Sequence, residues 1–218
     1  MTDNIDYMTI VEPVLEVTLR GFARADLWQQ HFHENDLKTQ ITGQTVEVLI
    51  SGVSAKYMGI PFRELSVSVQ MSEKTYFLAH AYNSLRPFAF AERRFFRTPY
   101  YPAALEIIPH RLTVEKAGQS VFNASLSTDA TPVNQAPGLD VLQIYLPKNL
   151  RKQAQQPHYF HARLEGETVF YDHSTATLNY PQPHQESIFS LLSQSDFQIE
   201  QWWVRETARH SKSKTITA

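Results

Sequence analysis

The chain has 218 residues, 42% hydrophobic and 19% charged, with 20 Lys+Arg against 22 Asp+Glu and a formal net charge of −2. This is the composition of a folded protein with a sizeable core, and its near-neutral balance offers no electrostatic footprint for nucleic acid or an anionic membrane. The absence of cysteine excludes disulfide frameworks, thiolate zinc sites and cysteine nucleophiles.

No apolar run approaches the roughly 20 residues of a membrane-spanning helix. The opening residues MTDNIDYMTI lack the basic and apolar regions of a signal peptide. The expectation is a cytoplasmic protein with neither a membrane nor a nucleic-acid partner.

Glycine is scarce at 7 residues and aromatics reach 12%, and the β-branched and aromatic residues arrive in short runs, which favours sheet over bundle. Leu27, Trp28 and Phe32 share a helical spacing, so a short helix is predicted over about 24–34. Val46–Val53 reads as a strand. Phe62–Met71 alternates, with Leu65, Val67 and Val69 on one face and Glu64, Ser66 and Ser68 on the other. Tyr76–Tyr82 is a third strand, paired with its predecessor as a hairpin. Asn83 or Ser84 can cap a helix whose first position suits Pro87, and Phe88–Arg97 should be helical until Thr98-Pro99 ends it.

Further strands are predicted over Ala103–Ile108, Arg111–Ala117, Ser120–Ser127, Val141–Leu146, His158–Leu164 and Thr168–Leu178. Asp129–Gly138, with Pro132, Asn134 and Pro137, reads as a loop, and Lys148–Pro157 as a polar, partly helical connection. Glu186–Leu192 is a helix, Phe197–Val204 the last strand, and 209–218 a tail expected to fray. No repeat or linker divides the chain. One α+β domain over 1–208, with a large, mostly antiparallel sheet closed or curled around a core, is the reading.

The nine histidines do not make a metal site by spacing. His31 and His33 share a face only on a strand, His158 and His161 only on a helix, and each pair falls on the other element. His184-Gln185-Glu186 lacks the second histidine of a helical zinc motif. No glycine-rich phosphate cradle and no GxSxG elbow are present, so no cofactor and no metal are implied.

The chemistry concentrates between Phe62 and Tyr101. Glu64 lies on the polar face of an otherwise apolar strand; that face is an interior if the sheet closes and a solvated surface if it does not. His80 and Tyr82 share a face of the next strand by period two, Asn83 follows, and together they are expected to line a cavity beside Glu64. The next helix adds Glu92, Arg93 and Arg94, with Arg97, Tyr100 and Tyr101 at its end. The arginines either bind a carboxylate or phosphate, or are surface cations paired with Glu64, Glu92 or Glu106.

In these residues the chain resembles the acetoacetate decarboxylase-like superfamily, and looks closest to its uncharacterised YqjF-like branch, found mainly in bacteria. The resemblance rests on the aromatic-x-Glu strand Phe62-Arg63-Glu64, the tyrosine-ended strand, the arginine-bearing helix and the corner Thr98-Pro99-Tyr100-Tyr101. A weaker echo runs from Tyr171 into Tyr180-Pro181-Gln182-Pro183. The decarboxylases carry Pro-Lys-Lys at that corner; the first lysine forms an imine with a β-keto acid and the second lowers its pKa. Tyr100 and Tyr101 stand in their place, and a phenol forms no imine, so the decarboxylase activity is not transferred.

Glu64 matches the family's pocket glutamate, Glu47 is a candidate for its second acidic residue, and Arg20 and Arg24 are candidates for its arginine. Lys56 and Lys74 fall in predicted loops, where neither replaces the imine lysine. The resemblance implies a conical β-barrel flanked by helices with the cavity inside it, and self-association into a homo-oligomer.

Three functions compete. The first is an interior site for a small organic acid or carbonyl compound. There Glu64 and Tyr100 act in acid–base chemistry, and Tyr101, His80, Tyr82, Glu92, Arg93 and Arg94 bind the ligand. The second is a non-catalytic metabolite-binding protein. The third is a structural protein whose barrel is filled by Phe88, Phe90, Phe95 and Phe96.

Overall fold

The computed structural model describes residues 5–150, 156–181 and 187–217. In chain order the elements are β1 (Tyr7–Arg24), α1 (Ala25–Glu34), β2 (Thr45–Tyr57), β3 (Ile60–Ser72), β4 (Thr75–Asn83) and α2 (Arg86–Ala91). Then come β5 (Tyr100–Pro102), β6 (Ala104–Ile108), β7 (Arg111–Lys116), β8 (Gln119–Ser125), β9 (Pro132–Tyr145) and β10 (His158–Tyr171). The chain ends with β11 (Thr177–Asn179), α3 (Ser187–Gln194), β12 (Gln198–Ser213) and β13 (Ile216–Thr217).

Seven strands close on themselves in the order β12-β1-β2-β3-β4-β9-β10, because β10 pairs back onto β12. Every pairing around this ring is antiparallel except β4 with β9. A second sheet, β11-β8-β7-β6, lies against its outside. No helix among the described residues is long and apolar enough to cross a membrane.

A ring gives each strand two unlike faces. On β3, Leu65, Val67 and Val69 point outward and are fully buried, whereas Glu64, Ser66 and Ser68 line the interior. Register carries the same division onto the neighbours: Glu16, Val53 and Glu64 form one row across β1, β2 and β3, and Thr18, Ser51 and Ser66 the next. The core fills the space between the ring's outer face (Leu19, Ile50, Phe77), the second sheet (Leu112, Phe122) and the helices (Trp28, Phe189). Each such side chain contributes about 1.5–3 kcal/mol by leaving water.

Several sequence expectations need correction. No strand was expected before residue 24, yet β1 runs for 18 residues and pairs with both β2 and β12. The expected loop up to Gly138 is the first half of β9, paired with β10. β9 contacts β4 only at Gln143–Tyr145, so Pro132 and Pro137 occupy a stretch paired on one side, where a missing N–H is tolerated. β10 continues through Gly166 instead of splitting.

The tail expected to fray is largely strand: β12 extends to Ser213 between β1 and β10, and β13 pairs with β10. α2 is shorter than expected and passes into a π-helical turn, Glu92–Phe96, ended by Arg97 at φ 60°. Neither Asn83 nor Ser84 caps it; Asn83 Oδ1 accepts from the Leu85 N–H and Ser84 Oγ from the Arg63 N–H. The expected features at Gln182–Glu186, including His184, and at residues 151–155 lie outside the described residues.

At Gly21 of β1 a Cβ would run into the Gln198 carbonyl oxygen at the start of β12 and lie 2.8 Å from Phe197. Backbone cannot yield as a side-chain tip can, so Gly21→Ala should lower stability by about 3 kcal/mol. A fall in the urea midpoint measures it; an unchanged midpoint would show that the two strands are not held at this spacing.

Candidate functional site

A cavity of about 510 Å³ lies inside the ring. Phe88 and Phe96 line it and do not fill it, while Phe90 and Phe95 are 66% and 69% exposed. The filled-barrel reading is therefore overturned. One stretch of wall is aromatic and aliphatic, including Phe62, Phe160 and Leu142; the rest carries an unusual density of charge.

These charges are arranged in pairs. Arg205, 3% exposed, donates from Nη1 to Glu16 Oε2 at 3.2 Å, from Nη2 to Asp140 Oδ2 at 2.6 Å and from Nε to Thr168 Oγ1 at 2.7 Å. Gly138 makes room for this guanidinium, since a Cβ there would lie 2.8 Å from Nη2. Glu16 Oε2 also meets His210 Nε2 at 2.9 Å. Burial alone would push the Glu16 carboxyl up, but the hydrogen bond and charge of His210, the charge of Arg205 and the Thr18 hydroxyl outweigh it and hold the group at about 2. Arg20 Nε donates to Glu47 Oε2 at 2.7 Å, and the Tyr76 hydroxyl to Glu47 Oε1 at 2.6 Å. Lys212 Nζ donates to Glu92 Oε2 at 2.6 Å and lies over the rings of Phe96 and Phe160. Thr98 donates to the same Glu92 oxygen.

Glu64 is the exception. Among the described residues it is the one carboxyl of the cavity wall with no cation in contact; its partners are neutral, Asn83 Nδ2 at 2.8 Å and the Tyr100 hydroxyl at 3.0 Å. Burial raises its carboxyl, and the Glu92 charge raises it further. Lys212 and the two hydrogen bonds oppose this without cancelling it, leaving the group at about 7. The Tyr100 hydroxyl is pushed well above the ordinary phenol range by burial and by the charges of Glu64 and Glu92. The outcome is a carboxyl that gains and loses a proton near neutrality, with a phenol O–H beside it.

Of the residues singled out by sequence, the structure brings Glu64, Tyr100 and Glu92 to the cavity. It turns Tyr101, His80, Tyr82, Arg93 and Arg94 away. Tyr101 follows Tyr100 on β5 and so faces the opposite side, as consecutive strand residues must; its ring stacks on His80 at 4.8 Å. His80 and Tyr82 pair with Val67 and Leu65, on the core face of β3, and not beside Glu64. Arg93 covers the outer side of Tyr101 at 4.5 Å, and Arg94 is exposed. Glu47 and Arg20 both reach the cavity, whereas Arg24 is exposed and pairs with Asp26. Lys56 and Lys74 lie outside its lining.

Glu16, Asp140, Arg205, His210 and Lys212 were not singled out. Glu16, Thr18 and Arg20 alternate with Val17, Leu19 and Gly21, a period-two signal of the same kind as that of β3. His210 and Lys212 continue the alternation of β12 into the stretch expected to fray.

No family model matches the sequence, and no curated protein matches it. Solved structures do match in fold. An acetoacetate decarboxylase from Legionella pneumophila superposes with a TM-score of 0.64 at 10% identity, over 99% of this chain and 89% of its own. A second acetoacetate decarboxylase gives 0.59 at 11% identity, over 96% and 88%. An acetoacetate decarboxylase-like enzyme from Sphingomonas wittichii RW1 gives 0.57 at 9% identity, over 96% and 92%. The chain thus has an acetoacetate decarboxylase-like fold.

The two unusual carboxyls govern stability in separate pH windows. Glu64 keeps its proton in the native state between about 4.5 and 7 while the unfolded chain has lost it, so its contribution is full below 4.5 and declines as pH rises through 7. Glu16 is depressed, so its contribution is present above 4.5 and lost as pH falls through 2. Glu64→Gln should therefore remove a loss of stability on the order of 2 kcal/mol between pH 5 and pH 8, allowing for the part of the carboxyl open to the cavity. Urea denaturation at the two pH values reads it; parallel curves for both proteins would place Glu64 in a water-like environment.

Proposed function

We propose that the cavity binds a small organic acid or carbonyl compound and that Glu64 transfers a proton to or from it, with the Tyr100 O–H as the neighbouring donor. The observation that carries this reading is the Glu64 carboxyl, raised to about 7 in a cavity where, among the described residues, every other wall carboxyl is ion-paired. A general acid or base works best when its pKa lies near the working pH, and burial without a cation is how a carboxyl reaches that value. The fold shared with acetoacetate decarboxylases supports a ligand site inside the ring, with the ring serving as a conical barrel around it.

The chemistry is non-covalent in this reading. Tyr100 and Tyr101 occupy the corner where the resembling decarboxylases carry lysines, and Lys212, the lysine on the cavity wall, is engaged by Glu92 at 2.6 Å. A proton removed from the carbon beside a ligand carbonyl would pass to Glu64, while the Tyr100 hydroxyl hydrogen-bonds the carbonyl oxygen. The YqjF-like branch fits the Pro-Tyr-Tyr corner, and a cytoplasmic homo-oligomer belongs to the same reading.

Deuterium incorporation beside the carbonyl of acetone or 2-butanone, followed by NMR in D2O, tests the proposal. The protein should accelerate exchange, and Glu64→Gln should reduce the acceleration by about 100-fold or more while leaving binding intact. Borohydride added to the same mixtures should leave the protein mass unchanged. An adduct on Lys212 would replace the non-covalent route by an imine, and binding without any exchange would make the protein a carrier or sensor.

A further inference from the structure

The nature of the ligand follows from how the wall is charged, given the reading that the cavity is a ligand site. Among the described residues, Glu16, Glu47, Glu92 and Asp140 face Arg20, Arg205 and Lys212. Leaving Glu64 aside, these four carboxylates outnumber the two guanidiniums and the ammonium, and a charged His210 imidazole would only balance the fourth, so the wall carries no excess of positive charge. Each of the three cations is already held by a wall carboxylate, at 2.7 Å for Arg20, 2.6 Å for Arg205 and 2.6 Å for Lys212. His210 Nε2 faces Glu16.

A carboxylate entering this space would find no uncommitted cation. It would have to lose its hydration and compete for a cation that a wall carboxylate already holds, which is costly in a protein interior. A neutral carbonyl meets no such barrier. The phenol of Tyr100, the Glu64 carboxyl when protonated and the hydroxyls of Ser66 and Ser68 are uncharged donors on the same wall.

Size and surface point the same way. A cavity of about 510 Å³ falls in the range of roughly 300–1,000 Å³ that holds drug-sized ligands, and a four-atom acid would leave most of it to water. Phe62, Phe88, Phe96, Phe160 and Leu142 offer apolar surface to the ligand's body.

We infer that the cavity takes an uncharged, apolar-bodied carbonyl compound, a ketone or ester with an aryl or hydrocarbon tail, and discriminates against the matching carboxylate. Calorimetric titration of the whole chain at pH 6.5 with 4-phenyl-2-butanone and with 3-phenylpropanoate tests this on two probes of similar shape. The ketone should bind at least ten times more tightly, and Tyr100→Phe should weaken the ketone at least threefold while leaving the carboxylate unaffected. A carboxylate bound as tightly as the ketone would overturn the inference and leave the cavity standing as a site. Ketone affinity unchanged in Tyr100→Phe would also overturn it, and binding of neither probe would remove the site reading as well.

Discussion

The pairing of β10 with β12 shuts the sheet into a ring, and most of the remaining structure answers to that closure. Alternate side chains of seven strands are thereby directed into a space that is neither bulk water nor a packed apolar core. Charges placed there must be matched by other charges. Arg205 does this at the seam, joining Glu16 of β1 and Asp140 of β9 to its own strand, and the Gly138 backbone leaves room for it. Removing one member of such a buried set leaves a charge unmatched at about 3–5 kcal/mol, so the polar wall and the closed ring stabilise each other.

Against that matched background one unmatched acid stands out. Glu64 shares its row with Glu16, one strand removed on either side of Val53. Yet Glu16 is held at about 2 and Glu64 at about 7. The difference is in the neighbours: a guanidinium and an imidazole for the first, an amide and a phenol for the second. Two carboxyls in one cavity are thus driven far apart in proton affinity, one ionised throughout the neutral range and the other exchanging its proton within it, a separation typical of sites that move protons.

How much of this was legible in the sequence can be judged strand by strand. The alternation of β3 placed Glu64, Ser66 and Ser68 on one face, and ring closure makes that face the interior. The hairpin to β4 was legible as well, but not which face of β4 joins Glu64. Opposed residues share a face, and the register sets Tyr82 against Leu65; a bulge between the His80 and Leu78 pairings then reverses the parity, so that Leu78 and Tyr76 look inward. A one-residue shift exchanges every side chain between faces, and no local pattern announces it. Tyr100 and Tyr101 could not both face one cavity from a strand, a constraint that the corner motif alone does not impose. β1 and the end of β12 were missed for a different reason: their inward positions are charged, Glu16 and Arg20 on one and His210 and Lys212 on the other. A polar interior makes a central strand look like surface or tail.

The central claim is that Glu64 sits in the ring interior without a cation and therefore holds its proton near neutrality. Carbon-13 NMR of protein labelled at the glutamate side-chain carboxyls, assigned by comparison with Glu64→Gln, measures this directly. A Glu64 resonance titrating near 7 is the expected result. One titrating near the ordinary glutamate value of about 4.3 would contradict the account, because it would mean that water or an unseen positive charge reaches the carboxyl.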